Sequence, residues 1–160
     1  MFEWHARLIE RAAMSLAHFA GSTERERLSW KPQAEESSCC RSATEQLDEC
    51  IGVNFGFAAV LSGGTPPERS GEGAATQKEP EELERLVQES GARLAAVVRG
   101  MTVEDLRKTY DMGWAKLSGS VAIDLALANM HYHIGQINYI QTLYGDSDFH
   151  APEAFFSFPV

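Results

Sequence analysis

Residues 117–143 read LSGSVAIDLALANMHYHIGQINYIQTL, a proline-free stretch that ends two residues before Gly145. Apolar residues recur through it at helical spacings, and a glycine just beyond such a stretch commonly ends a helix. The pattern predicts one long helix from Leu117 to Leu143, the last of the chain. The other elements have to cover its apolar sides.

One stripe of this helix mixes polar and apolar side chains. Each helical residue advances by about 100°, so Asn129 and His133 lie one turn apart on the same side. Tyr132 and Gln136 flank them and could orient an imidazole or hydrogen-bond a ligand, whereas His131 points to nearly the opposite side. Any chemistry is therefore expected on the stripe of Asn129 and His133, although a hydrogen-bonded core histidine is the alternative interpretation of His133.

Three further helices are predicted upstream. Residues 3–20 carry apolar side chains on one face, and residues 42–61 carry a broader apolar arc. Residues 80–100 begin at Pro80, which suits the first helical position, and residues 62–79 form one long loop rich in Gly, Pro, Ser and Thr. Because no strand-like alternation is present, the sequence predicts an all-α four-helix bundle. A length of 160 residues is the usual size of one domain, so a single domain over residues 1–160 is expected.

The segment between the third and last helices is expected to be irregular. Thr102 to Asp105 resemble a short helical turn with its own cap, and Tyr110 to Trp114 are predicted to connect it to the last helix.

Composition narrows the class of protein. The 160 residues carry 14 Lys and Arg against 23 Asp and Glu, a formal charge of -9, which repels nucleic acid and anionic membrane surfaces. No apolar run approaches a membrane span, and the charged start is unlike a signal peptide. The adjacent Cys39 and Cys40 do not form a disulfide framework and are interpreted as reduced thiols. A cytoplasmic protein without nucleic-acid or membrane partners is expected.

Two stretches carry the signature of a known family. In the last helix, His133, Gly135 and Gln136 precede the apolar Ile137, a histidine-x-glycine-glutamine pattern. Residues 28–54 contribute a second set in the same order as the family, namely Leu28, Trp30, Pro32, Ser42, Glu45, Leu47 and Asn54. Over residues 28–54 and 125–145 the chain thus resembles the DinB/YfiT family.

That resemblance implies a four-helix bundle of up-down-down-up order, often a homodimer, with a divalent metal held by three histidines. Carried over by position, the ligands are Glu49, Asn129 and His133, of which only His133 keeps the family's residue type. Zinc, nickel or manganese accepts a carboxylate beside an imidazole, whereas an amide is a weak ligand. The implied function is a metal-dependent hydrolase or thiol-dependent transferase acting on a small molecule, in which bound water becomes a nucleophile.

The departures from the family leave a second function class open, namely a non-catalytic stress-response or small-ligand-binding bundle with a degenerate metal site. Glu49 lies at the margin of its helix's apolar arc, so an exposed glutamate is the competing interpretation of that residue. His5, on the apolar face of the first helix, is either a substitute ligand or a core histidine.

A third hypothesis is a structural homodimer. It rests on the width of the apolar surface of the last helix, where four residues lie away from the Asn129 stripe: Ile123, Met130, Ile134 and Ile137.

Overall fold

A computed structural model of the chain describes residues 2–32, 40–65, 78–153 and 156. Most of these residues are helical. They form four long helices and one short helix, and a small hairpin connects the short helix to the last long one. The helices are α1 (Glu3–Gly21), α2 (Ala43–Leu61), α3 (Pro80–Gly100), α4 (Val103–Arg107) and α5 (Gly119–Leu143), and the strands are β1 (Thr109–Asp111) and β2 (Lys116–Ser118). The sequence prediction of a mostly helical chain is confirmed.

The helix starts follow from local chemistry. The Ser42 hydroxyl accepts from the Glu45 backbone N–H at 3.3 Å and the Glu45 carboxylate accepts from the Ser42 N–H at 2.7 Å, a capping box that fixes the start of α2. Thr102 and Asp105 form the same motif at α4, and Pro80 opens α3. The predicted bounds of the first three helices are therefore confirmed to within a residue. Of the predicted loop, residues 66–77 lie outside the described residues, as does Cys39.

The predicted connector from Tyr110 to Trp114 is wrong in part, because it lies within an antiparallel hairpin. β1 pairs with β2 so that Tyr110 faces Leu117, and Gly113 takes a φ of +84° in the turn, which glycine adopts without strain. The last helix also begins two residues later than predicted, at Gly119, since the Ser118 hydroxyl caps it by accepting from Val121 N–H at 3.3 Å.

The four long helices pack so that α1 and α2 each contact both α3 and α5. At one end, Arg99 of α3 pairs with Glu3 and Glu10 of α1. At the other end, the Gln141 amide of α5 donates to the Phe19 carbonyl at 3.4 Å and to the Thr23 hydroxyl at 3.1 Å. α5 thereby lies beside α1 and opposite α3, with α2 facing its other side.

The apolar width of α5 serves the chain's own core. Ile123, Met130, Ile134 and Ile137 are all buried among residues of the other helices, so the argument that they are a surplus for a second copy is wrong. The exposed apolar residues of α5 lie on a different face, which includes Val121, Tyr132 and Tyr139. Among the described residues, no helix combines the length and apolar character that crossing a membrane requires.

Candidate functional site

The facing sides of α2 and α5 bring two of the candidate ligands together. His133 Nε2 lies 3.4 Å from Glu49 Oε1. The Glu49 side chain is about one quarter exposed and the His133 side chain is buried, so Glu49 faces the site rather than open solvent. The pairing arises because Glu49 lies in the second turn of α2, level with the middle of α5.

Apart from the Glu49 carboxylate at 3.4 Å, His133 has none of the hydrogen-bond partners of a core histidine within the described part of the chain. Neither of its ring nitrogens has a hydrogen-bond partner among the described residues, although unpaired buried polar atoms are rare. Burial lowers the pKa of His133, which the Gln136 amide opposes and the nearby Arg41 guanidinium reinforces. Burial therefore favours the neutral imidazole, the form that can bind a ligand, and Tyr132 packs edge-on against it at 5.3 Å between ring centroids.

Arg41 is a member of this site that the sequence reasoning missed. Its guanidinium pairs with Glu49 Oε2, so the carboxylate that faces His133 is already neutralised by a cation. The sequence contained one signal for this role, namely that Arg41 comes just before the cap residue Ser42. From that position a long side chain can extend along the first two turns of α2 to Glu49. A positive charge near the N-terminus of a helix interacts unfavourably with the helix dipole. The ion pair with Glu49 offsets this unfavourable interaction of Arg41.

Asn129 occupies the next turn of α5 and contributes an amide. The residue is partly buried, and its Oδ1 has no hydrogen-bond partner among the described residues. Gln136, one turn beyond on the same side as His133, has an Oε1 that is likewise unpartnered within the described part of the chain. Three neighbouring polar side chains of one helix thus present unsatisfied acceptors or ring nitrogens toward the same region, which indicates a place for a bound molecule or water.

A cavity of about 700 Å³ lies beside this polar region, between α2, α5 and the hairpin. Its walls are mostly apolar, and its polar side chains include Glu49 and Asn129. Gly52 and Gly56 of α2 leave it wide, since a Cβ at either position would meet no atom of the described residues within 4 Å. The apolar wall includes Val53, Phe57, Val60, Met112, Trp114 and Leu125.

A second cavity of about 520 Å³ adjoins the first, and both are lined by Glu49 and Tyr132. It is the more polar of the two, because Arg41, His133 and Gln136 line it. The Glu49 carboxylate and the Tyr132 ring therefore lie at the boundary between the larger, apolar cavity and the smaller, more polar one.

The remaining histidines of interest lie elsewhere. His5 is exposed at the start of α1, with its ring centroid 6.2 Å from that of Phe2, so the structure does not place it as a substitute ligand. His131 is exposed on the other side of α5, as predicted, and neither histidine lines either cavity.

The residues present match a metal only in part. Two ligands about 2.1 Å from one tetrahedral ion lie about 3.4 Å apart, which is the separation of His133 Nε2 and Glu49 Oε1. Against this, Arg41 already neutralises the carboxylate, and no cluster of three or more His, Cys, Asp or Glu able to hold a metal occurs in the described part of the chain. The three-histidine centre implied by the resemblance does not fit these side chains, because His133 is the one histidine among Glu49, Asn129 and His133.

Comparison with known proteins agrees with this fold. The crystal structure of a DinB-like protein, YjoA from Bacillus subtilis, is similar with a TM-score of 0.56 and 18% sequence identity, over 94% of this chain and 92% of that one. At that identity the likeness concerns the fold alone. No curated protein matches the sequence. The family model of the DinB superfamily matches residues 8–137, and the chain belongs to that superfamily.

Proposed function

We propose that this protein binds a small, largely apolar molecule in the cavity between α2, α5 and the hairpin. The observation that carries the proposal is the cavity itself, about 700 Å³ with mostly apolar walls. Ligand sites commonly measure about 300–1,000 Å³ and combine apolar walls with a few placed polar groups. Here those polar groups are Glu49 and Asn129.

The polar end of the cavity supports recognition of a ligand that can donate a hydrogen bond. Asn129 Oδ1 is buried without a partner among the residues that the structure describes, and leaving such an acceptor unpaired costs about 1–3 kcal/mol. A hydroxyl or amine of the ligand would satisfy it. The neutralised Glu49 carboxylate next to it accepts a further hydrogen bond without requiring a cationic ligand.

Filling the cavity tests this proposal. In Gly56→Leu the new side chain extends from a Cβ position with no neighbour within 4 Å and occupies the space beside Phe57 and Val60. We expect binding of an uncharged apolar fluorescent probe such as N-phenyl-1-naphthylamine, followed by titration, to weaken at least tenfold, which corresponds to about 1.4 kcal/mol.

The matched control is Gly56→Ala. It adds one methyl group, keeps most of the cavity, and replaces a helix-interior glycine at a gain of up to about 1 kcal/mol. Both variants should melt no lower than the original protein, and only the leucine variant should lose the probe. Equal probe binding by all three proteins would contradict the proposal.

A second candidate function is divalent-metal binding at Glu49, Asn129 and His133, as in a metal-dependent hydrolase or thiol-dependent transferase. One observation favours it, the 3.4 Å separation of the imidazole and carboxylate around a neutral ring. A metal there would be held by Glu49 and His133, with the Asn129 amide as a weak third ligand, and it would supply a Lewis acid.

Calorimetric titration with zinc, nickel and manganese tests this candidate. We expect His133→Gln to weaken binding of the preferred ion at least tenfold, because it removes the one imidazole in the site. His131→Gln, two residues away on the opposite side of the same helix, should leave the affinity unchanged. Equal effects of the two substitutions would rule out the site.

The helix contacts also support the up-down-down-up order for the four long helices. Glu3 near Arg99 places the start of α1 beside the end of α3, and Phe19 near Gln141 places the ends of α1 and α5 together. Asn54 of α2 lies near Met130, whereas the earlier Glu49 lies near the later His133. These pairings favour α1 and α5 running one way and α2 and α3 running the other.

A further inference from the structure

The smaller cavity differs from the larger one in its lining. Charged, amide and imidazole side chains from α5 and from the start of α2 surround it, namely Arg41, Gln46, Glu49, His133 and Gln136. The larger cavity has mostly apolar walls, and the two cavities share Glu49 and Tyr132. A single ligand that fills both must therefore be apolar at one end and polar at the other.

Three side chains that line the smaller cavity carry polar atoms without partners. Gln46 Oε1, Gln136 Oε1 and the ring nitrogens of His133 have no hydrogen bond to any residue that the structure describes. Gln46 and His133 are 4% and 2% exposed, so bulk water does not satisfy them. Because unpaired buried polar atoms are costly and rare, a polar occupant of this cavity is favoured.

The hydrogen-bonding chemistry of the lining selects the kind of occupant. The amide oxygens of Gln46 and Gln136 only accept hydrogen bonds, and Arg41 only donates them. The neutral imidazole of His133 does both, one at each ring nitrogen. A hydroxyl group also donates and accepts, so two or more hydroxyls on one head group can satisfy this mixed set of donors and acceptors.

A charged head group fits the smaller cavity less well. A carboxylate has no proton to donate to the amide oxygens and would lie beside the Glu49 carboxylate, and the formal charge of -9 repels it further. An ammonium group would lie near the Arg41 guanidinium, which lines the same cavity. Since Arg41 already pairs with Glu49, that carboxylate has little attraction left for a second cation.

We propose that the two cavities together bind a neutral amphiphile, with a head group of two or more hydroxyls in the smaller cavity and an apolar tail in the larger one. An alkanediol and a glycerol monoether belong to this class. The position of the tail rests on the proposed function, whereas that of the head group rests on the lining of the smaller cavity. Glu49 and Tyr132 line both cavities and therefore lie where the head joins the tail.

Four eight-carbon ligands test the head group by calorimetric titration at pH 7, each below the concentration at which it forms micelles. They are 1,2-octanediol, 1-octanol, octanoate and octylammonium, which share a tail and differ in the head. We expect 1,2-octanediol to bind about tenfold more tightly than either ion and about fivefold more tightly than 1-octanol. Equal or tighter binding of an ion would overturn the proposal. Equal binding of 1-octanol would also overturn it and would mean that water alone fills the smaller cavity.

Gln46→Met tests where the hydroxyls bind. Methionine is similar in length but lacks the amide oxygen, and Gln46 lines the smaller cavity and not the larger one. We expect the preference for 1,2-octanediol over 1-octanol to be lost. The melting temperature should stay the same or rise, because a buried acceptor without a partner in the described ranges is removed.

Two further variants accompany Gln46→Met. Gln136→Met removes the second amide oxygen from the opposite helix and should also abolish the preference for the diol. Gln88→Met, exposed on α3, is the matched control and should keep it. A preference that survives both Gln46→Met and Gln136→Met would overturn the placement of the hydroxyls.

Failure of this proposal differs measurably from failure of the proposed function. If Gly56→Leu weakens binding of N-phenyl-1-naphthylamine but the four eight-carbon ligands bind alike, the larger cavity binds apolar molecules and the head-group site is absent. If Gly56→Leu leaves the binding of that probe and of 1,2-octanediol unchanged, the tail does not occupy the larger cavity, and both proposals are wrong.

Discussion

We expect Gly91→Leu to lower the free energy of unfolding by about 3 kcal/mol, the upper part of the range for overpacked cores. Gly91 of α3 faces α1, and a Cβ built on it would lie 2.3 Å from Ala13 Cβ. The Ala13 methyl has no rotamer with which to avoid the contact. Accommodating leucine therefore requires the backbones of α1 and α3 to separate, which disturbs the packing of the two helices on each other.

Chemical denaturation measures the effect, and Gly56→Ala provides its control. Both glycines lie inside long helices, so replacing either gains similar helix propensity, but a Cβ at Gly56 meets nothing within 4 Å. The two substitutions should change stability in opposite directions. If Gly91→Leu unfolded at the same denaturant concentration as the original protein, the close approach of α1 and α3 described above would be wrong.

The helix bounds could be predicted because they depend on neighbouring residues. The capping box of Ser42 and Glu45, and Pro80 at the start of α3, are signals readable within four residues of sequence. The hairpin could not be predicted in this way. Its strands are three residues each, too short to show a period of two, and the pairing of Tyr110 with Leu117 is a tertiary contact without a local signature.

Sequence periodicity also could not decide which apolar side of α5 is covered. Ile123 and Leu125 are both aliphatic, yet the first is buried and the second is 39% exposed. The difference depends on where α1 and α2 pack around α5. The sequence of α5 alone does not determine those positions. The prediction that the isoleucines were surplus therefore assigned exposure to the wrong face.

Two parts of the candidate site could be predicted from the sequence. These are the stripe of Asn129 and His133 on α5, and the position of Glu49 on α2. The family resemblance aligned Glu49 with a ligand position, and the structure places its carboxylate beside His133. Arg41 was missed, because its place just before the cap of α2 is only a weak signal and its contact with Glu49 depends on a side-chain conformation. That one cation changes the chemistry of the site, since a neutralised carboxylate attracts a metal less strongly.

We expect Asn129→His to bind zinc at least a hundredfold more tightly than the original protein. The substitution places an imidazole four residues before His133, one turn away on the same side. Asn129 Oδ1 now lies buried there with no hydrogen-bond partner in the described ranges. With Glu49 Oε1 3.4 Å from His133 Nε2, the site would gain a third strong ligand and reach the three protein ligands typical of catalytic zinc centres. Calorimetric titration measures the affinity directly.

Two controls separate this geometry from a general effect of adding histidine. Gly135→His creates an equally spaced pair with His131 on an exposed part of α5, where a Cβ meets nothing within 4 Å and neither histidine lines the cavities, so its zinc affinity should stay much weaker. Glu49→Gln in the Asn129→His background should remove most of the gain, because the carboxylate supplies the charged ligand. A gain that survived Glu49→Gln would mean that zinc binds the two imidazoles alone. In that case the proximity of Glu49 to His133 would serve the Arg41 ion pair and the polar end of the cavity rather than a metal.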